Sequence, residues 1–271
     1  MGDSATILFE QNKWLSAVGA GDAALLTERV AGLQRCCNAP LTPYVTEKSF
    51  EKVKKRLTKR AFVEIHFAPG IRLDKANYAS FQIKERSTRI LDLSKDTAYS
   101  SALERQLRKG ERSIQLKKST SSTSLYALMK KVYASRGNEL VLSESLLEKV
   151  TKAALEGGFG ELIYACTAEG ESLAALLVVW DESCMYYLAG ARNEVLKDSA
   201  AMSLLLDAAI QSARAKGLAR FDFCGSSIEG IDRFFAGFGA TKEVYYCVYN
   251  PAPLWWQWLR KAARVVKRII G

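Results

Sequence analysis

The sequence predicts an α/β fold, a mixed sheet flanked by helices, and two observations carry that prediction. The first is a set of three apolar runs, 161–167, 172–180 and 184–189, joined by Ala168-Glu-Gly-Glu171 and Asp181-Glu-Ser183. Links that short make hairpins, so the runs read as an antiparallel meander. The second lies beyond Tyr187-Leu-Ala-Gly190. A helical run over 198–216 leads into Gly217-Leu-Ala-Arg-Phe-Asp-Phe-Cys-Gly225, which reads as another strand. A crossover of about a dozen residues or more, usually a helix, is what a parallel pair needs. A short helix over 228–235, the turn Gly237-Phe238-Gly239 and a last strand over 244–249 close the pattern.

Taken in order, the chain opens with a short strand over 7–9 and a helical turn at Trp14-Leu15. Gly19, Gly21 and Gly32 punctuate the next segment, and Pro40 and Pro43 impose an extended stretch. Thr46 offers an N-cap for a helix over 47–60, with Phe50, Val53 and Leu57 on one face. Residues 61–67 alternate as a half-buried strand, and Pro69-Gly70 turns the chain. Two short strands are expected over 78–84 and 89–93, then a helix over 97–109 capped by Asp96 or Ser94. Ser119 to Thr123 reads as a linker before helices over 124–136 and 143–155, the second ended by Gly157-Gly158. This gives three expected units: 1–110, 111–250 and a basic tail over 251–271.

Ligands of sheets with parallel crossovers sit beyond the carboxyl ends of the strands. Asp222, Cys224, Gly225, Ser226 and Ser227 fall at that end. Tyr187, Arg192 and Asn193 are expected to border the same cleft, with Arg233 and Phe234 contributed by the next helix.

Those residues also carry a resemblance. The run Ala215-Lys-Gly-Leu-Ala-Arg-Phe-Asp-Phe-Cys-Gly-Ser-Ser227, with Gly230-Ile-Asp-Arg-Phe-Phe235 and Gly237-Phe-Gly239, resembles the closing half of the FemAB-like branch of the GNAT acyltransferase superfamily. Pro40-Leu-Thr-Pro-Tyr44 and Phe62-Val-Glu-Ile-His-Phe67 are similar to the family's first half. The resemblance implies a GNAT-like domain over 111–250, preceded by a smaller, incomplete GNAT-like half. Enzymes of that branch add amino acids from aminoacyl-tRNA to cell-wall precursors, and other GNAT enzymes acetylate amines from acetyl-CoA. The resemblance therefore implies an acyl donor that is aminoacyl-tRNA or acyl-CoA. Its lysine after the phenylalanine of Phe-Lys-x-x-Phe-Gly is absent, because Phe235 stands there.

Composition narrows the function. Of 271 residues 48% are hydrophobic, ample for a core, yet the longest central apolar run, 173–180, is too short to span a bilayer. The N-terminus lacks a basic and apolar leader, so no export signal is read. Six cysteines, none in a CxxC spacing, then read as reduced thiols of a cytoplasmic protein. His66 is the only histidine, which excludes a histidine-rich metal centre, and no metal is expected; mid-strand, it reads as a core residue.

Amide formation needs a neutral attacking nitrogen, a polarised carbonyl and a positioned leaving group. Asp222 is placed to deprotonate or orient the amine, or else to cap nearby N–H groups or pair with Arg220 or Arg233. Ser226 and Ser227 are placed to bind substrate or to cap the following helix. An acyl-CoA site would want a glycine-rich loop opening the central helix, so that backbone N–H groups reach the pyrophosphate. Leu196-Lys-Asp-Ser-Ala-Ala-Met-Ser203 offers no glycine. Arg105 and Arg108 head a basic cluster that is either suited to a phosphate-bearing partner such as tRNA or simply a solvated junction between the two halves. The alternatives are an acetyl-CoA-dependent N-acetyltransferase and a non-catalytic membrane- or nucleic-acid-associated module.

The net charge is +10, and half of it lies in the tail. At 100° per residue Trp255, Trp256 and Trp258 share one half of the helical wheel with the aliphatic residues. Arg260, Lys261, Arg264, Lys267 and Arg268 occupy the other half, with no acid. That pattern suits a helix lying on an anionic membrane, which would place the protein on the inner face of the cell membrane. A helix docked on its own domain or on a second copy is the other reading.

Overall fold

The computed structural model describes residues 7–250, except 22, 31–32, 58–61, 97, 197, 199 and 226–227, together with Leu254. Helix α1 (Asn12–Val18), strands β1 (Leu25–Val30) and β2 (Leu33–Asn38), helix α2 (Glu47–Lys54), β3 (Phe62–His66) and β4 (Gln82–Asp92) come first. Helix α3 (Ser101–Gly110), β5 (Gln115–Lys118), α4 (Thr123–Ser135) and α5 (Glu144–Glu156) are next. The meander β6 (Gly160–Cys166), β7 (Ser172–Trp180) and β8 (Cys184–Arg192) leads to α6 (Ala201–Ala215), β9 (Arg220–Asp222), α7 (Glu229–Ala236) and β10 (Thr241–Asn250).

All ten strands form one mixed sheet in the order β1-β2-β3-β10-β4-β9-β8-β7-β6-β5. Among the described residues, the strand pairs β2–β3 and β8–β9 are parallel and the others antiparallel. The expected meander and helical crossover are both present. Strands from before and after residue 110 interleave, because β10 lies between β3 and β4, and β4 pairs with β9.

Helices cover both faces. On one, α3, α6 and α7 bury Leu91, Leu205, Phe221, Phe223, Phe235 and Phe238 against the sheet, each ring or branched chain worth roughly 1.5–3 kcal/mol. On the other, α1, α4 and α5 pack over β6, β7 and β8, which is why β7 is apolar without alternation. A satellite core around Phe50, Phe67 and Tyr78 holds α2 to β3 and β10.

One irregularity positions the site. Strands β8 and β9 are in register only from Cys184↔Arg220 to Tyr186↔Asp222, after which β8 runs on to Arg192. Beyond that point a bulge at Leu188 shifts the register with β7, and a bulge bends the strand carrying it. The carboxyl end of β9 is thereby left open beside its parallel neighbour.

Several local expectations are corrected. Residues 8–10 form a 3-10 turn rather than a strand, because the Leu8 N–H is held by Asp181 Oδ2 at 3.1 Å and Leu8 and Phe9 are buried. Thr46 makes no side-chain cap; Glu10 accepts from both its N–H (2.7 Å) and its hydroxyl (2.8 Å), and α2 ends at Lys54. The two strands expected over 78–84 and 89–93 are one, β4, since β10 pairs along it from Gln82 to Ile90. Helix α3 starts later than expected and is capped by Ser100, whose Oγ accepts from the Leu103 N–H at 3.3 Å; Ser94 is bonded to Asp92 instead. Strands β1, β2 and β5 escaped the sequence reading because each is polar and lies towards an edge. The amphipathic pattern of 255–271 lies outside the described residues.

Candidate active site

Asp222 ends β9 with 2% of its surface exposed. Its Oδ1 accepts from the Thr88 hydroxyl at 2.6 Å and from the Cys224 N–H at 2.7 Å. Thr88 Oγ1 in turn accepts from the Gly225 N–H at 2.8 Å. These bonds hold two successive residues in the left-handed region, Cys224 at φ +56° and Gly225 at φ +79°. Glycine takes that conformation freely, whereas cysteine there costs on the order of 1 kcal/mol. A Cβ on Gly225 would stand 3.2 Å from the Ser87 carbonyl oxygen, so only a bare backbone turns here comfortably.

Burial pushes the Asp222 carboxyl up to about 6, against the opposing pull of the Thr88 and Cys224 hydrogen bonds. Neither arginine considered as a partner reaches it. Arg220 is paired with Glu243 at 2.6 Å and Arg233 with Glu229 at 2.7 Å. Capping of an N–H group, by contrast, is present at Cys224. Among the described residues no hydrogen bond reaches Asp222 Oδ2.

Tyr44 reaches the same place from the N-terminal part and is 2% exposed. Its ring meets Tyr245 edge-on at 5.2 Å. Burial and the neighbouring Asp222 charge raise its pKa. The hydroxyl lies near Thr88 but forms no well-shaped hydrogen bond among the described residues. A buried unpartnered hydroxyl costs roughly 1–3 kcal/mol, which folding alone gives no reason to keep.

Beside this network lies a cleft of about 510 Å3 bordered by residues of the paired strands β4 and β10. Among the described residues it is bordered by Cys224, Gly225 and Tyr245, by the cations Arg86 and Lys242, by His66, Ser87 and Val244, and by the acid Glu85. Arg86 has no ion pair among the described residues, and its buried Nε has no hydrogen-bond partner. His66 lies beside Cys247 Sγ (3.8 Å) and Glu64 Oε1 (3.6 Å). Burial disfavours its charge, but Cys247 and Glu64 outweigh that and the imidazole is pushed up to about 9.

The other residues expected at the site lie elsewhere. Tyr187 packs on Phe235 with ring centroids 5.8 Å apart and lies across Gly190, where a Cβ would stand 2.4 Å from its hydroxyl. Arg192 pairs with Glu194 at 3.2 Å. Asn193 gives its side chain to the turn after β8: Nδ2 donates to Ser172 O at 3.2 Å, and Oδ1 accepts from Val195 at 3.0 Å and Leu196 at 3.3 Å. None of these three borders the cleft. Phe234 packs against Phe235 and Phe238, while Arg105 and Arg108 are carried on α3, with Arg108 exposed. Ser226, Ser227 and the tail residues Trp255, Trp256, Trp258, Arg260, Lys261, Arg264, Lys267 and Arg268 lie outside the described residues.

At the start of α6, Asp198 Oδ1 accepts from the Ala200 N–H at 2.7 Å, and the run Leu196–Ser203 holds no glycine to bring backbone N–H groups close to a pyrophosphate.

Comparison with known proteins agrees with this architecture. No curated protein matches the chain in sequence. The crystal structure of FemX is 15% identical with a TM-score of 0.63, covering 88% of this chain and 91% of its own. L-PGS from Bacillus licheniformis is 13% identical with a TM-score of 0.58, covering 100% of this chain and 99% of its own. The C-terminal domain of a putative lysylphosphatidylglycerol synthetase from Agrobacterium fabrum is 11% identical with a TM-score of 0.58, covering 84% of this chain and 81% of its own. These likenesses establish a shared fold. The family model described as "Acetyltransferase (GNAT) domain" matches residues 98–235, just over half of the 271, and the chain belongs to that family.

Proposed function

We propose that the chain is a transferase that joins an acyl or aminoacyl group to an amine, forming an amide, with Asp222 as the proton acceptor. The observation that carries this reading is a buried carboxylate whose pKa of about 6 is matched to proton transfer near neutrality, at the open end of β9. In the step, the lone pair of a neutral amine forms the C–N bond to the acyl carbon and the C–O bond of an ester donor breaks. The amine proton passes to Asp222, and the leaving oxygen takes up a proton. Near that carboxylate, Tyr44 supplies a buried hydroxyl that has no hydrogen-bond partner among the described residues. Arg86 and Lys242 suit an anionic portion of a substrate in the adjoining cleft.

An oxygen-ester donor such as aminoacyl-tRNA fits this chain better than acyl-CoA, because the segment opening α6 has no glycine to bring its backbone close to a pyrophosphate. Arg105 and Arg108, on α3, are available to phosphates of such a donor. One fold relative is titled the C-terminal domain of a putative lysylphosphatidylglycerol synthetase, a name that joins an aminoacyl group to a lipid. By analogy the acceptor here belongs to the cell envelope. The cationic, tryptophan-bearing pattern of the tail suits a peripheral attachment at the inner face of the membrane.

The test is transfer of a labelled amino acid from charged tRNA to amine-bearing envelope precursors. Asp222→Asn should lower the rate on the order of 10²-fold or more. Undiminished transfer by that variant removes Asp222 from the mechanism. Absence of transfer with every donor would favour a non-catalytic binding module.

A further inference from the structure

Glu64, His66 and Cys247 bring three different metal-binding atoms to one point on the sheet. Cys247 and His66 stand directly opposite each other on antiparallel β10 and β3. Glu64, two residues from His66, projects from the same face. Nε2 of His66 lies 3.8 Å from Cys247 Sγ and 3.6 Å from Glu64 Oε1, and all three donor atoms lie within 4.8 Å of one another.

Hydrogen bonding explains this convergence poorly. The same ring nitrogen faces both partners, so a single N–H cannot point at both. The 3.6 Å to Glu64 also exceeds the roughly 2.7–3.2 Å of a formed N–H···O bond. Bonds of about 2.0–2.3 Å to a tetrahedral ion separate its donor atoms by roughly 3.3–3.6 Å, close to the two spacings from His66.

We propose that Glu64, His66 and Cys247 bind one zinc ion, with the fourth coordination position turned towards the cleft. Thiolate, imidazole and carboxylate together form a donor set that zinc accepts, whereas magnesium and calcium prefer oxygen alone. His66 borders the cleft, which leaves that position to water or to an oxygen of a bound substrate. Cys247 would bind as thiolate and His66 as neutral imidazole, so metal binding is coupled to proton release. The inference does not depend on the role given to Asp222.

The experiment is titration of the metal-free full chain with Co2+, which reports a coordinating thiolate through a near-ultraviolet charge-transfer band. The band should saturate at one equivalent and disappear when Zn2+ is added. Cys247→Ser should abolish it, Glu64→Gln should weaken binding by at least about tenfold, and Cys166→Ser on distant β6 should leave it unchanged. No thiolate band in the wild-type chain, or a band surviving Cys247→Ser, overturns the proposal. Because Cys247 is buried, circular dichroism must show its variant folded. Should it unfold, Glu64→Gln decides, since that side chain is exposed, and undiminished affinity there also overturns the proposal.

Discussion

The Thr88 hydroxyl donates to Asp222 Oδ1 at 2.6 Å while accepting from the Gly225 N–H at 2.8 Å, so one side chain orients both the carboxylate and the turn beyond it. Thr88 comes from β4 and Asp222 from β9, strands far apart in the chain. Thr88→Val keeps the shape and removes both bonds. With the stabilising donor gone, the Asp222 pKa should rise further above about 6, and the acid limb of the pH–rate profile should move up with it. Thr88→Ser should restore the wild-type limb; an unmoved limb in Thr88→Val would show that the bond does not tune the carboxylate.

Asp222 also ties stability to pH. Its pKa is raised from 3.8 to about 6, so between those values the folded state holds a proton that the unfolded chain has released. Stability contributed by that proton is full below about 4 and is lost as pH rises through about 6, on the order of 3 kcal/mol in all. Asp222→Asn cannot titrate. Urea unfolding at a series of pH values should show the variant gaining on the wild type across that window. Parallel curves would contradict the buried, raised carboxyl.

Removing the Tyr44 hydroxyl separates function from folding. Tyr44→Phe discards a buried group with no well-formed partner, so the melting point should stay level or rise, by up to about 1 kcal/mol in stability. Transfer activity should fall all the same. A clear loss of stability would reveal that the hydroxyl is satisfied in solution and serves the fold.

Much of the fold was legible from the sequence because its signals are local. Hairpin-sized links between β6, β7 and β8, and the helical crossover from β8 to β9, are written in consecutive residues. Asp222 was legible for the same reason, as the polar residue ending a strand. Tyr44, Thr88 and Arg86 were not, since their importance arises from contacts between distant segments. Thr88 sits in the polar run Glu85-Arg-Ser-Thr88, which read as a gap between strands although β10 pairs along it. Conversely Asn193 looked like a ligand residue because it is polar and comes just after β8, yet its side chain is spent on backbone groups.

The tail gives a separate prediction. Five cations near an anionic surface contribute roughly 1 kcal/mol each before screening, and partial burial of the tryptophan side adds more. The full chain should float with anionic liposomes and detach as salt rises, while a chain ending at Asn250 should not bind. Equal flotation of the two, or indifference to lipid charge, would contradict a membrane role for the tail.

An amide-forming transferase that takes its acyl group from an oxygen ester rather than from a CoA thioester is tested most directly by donor binding. Thermal unfolding of the full chain should be followed against acetyl-CoA, longer acyl-CoAs, uncharged tRNA and aminoacyl-tRNA, since a donor that binds the folded state raises its melting temperature. The account predicts a saturable shift with aminoacyl-tRNA, larger than with uncharged tRNA, and none with CoA thioesters. A saturable shift with a CoA thioester, and none with aminoacyl-tRNA, would contradict it.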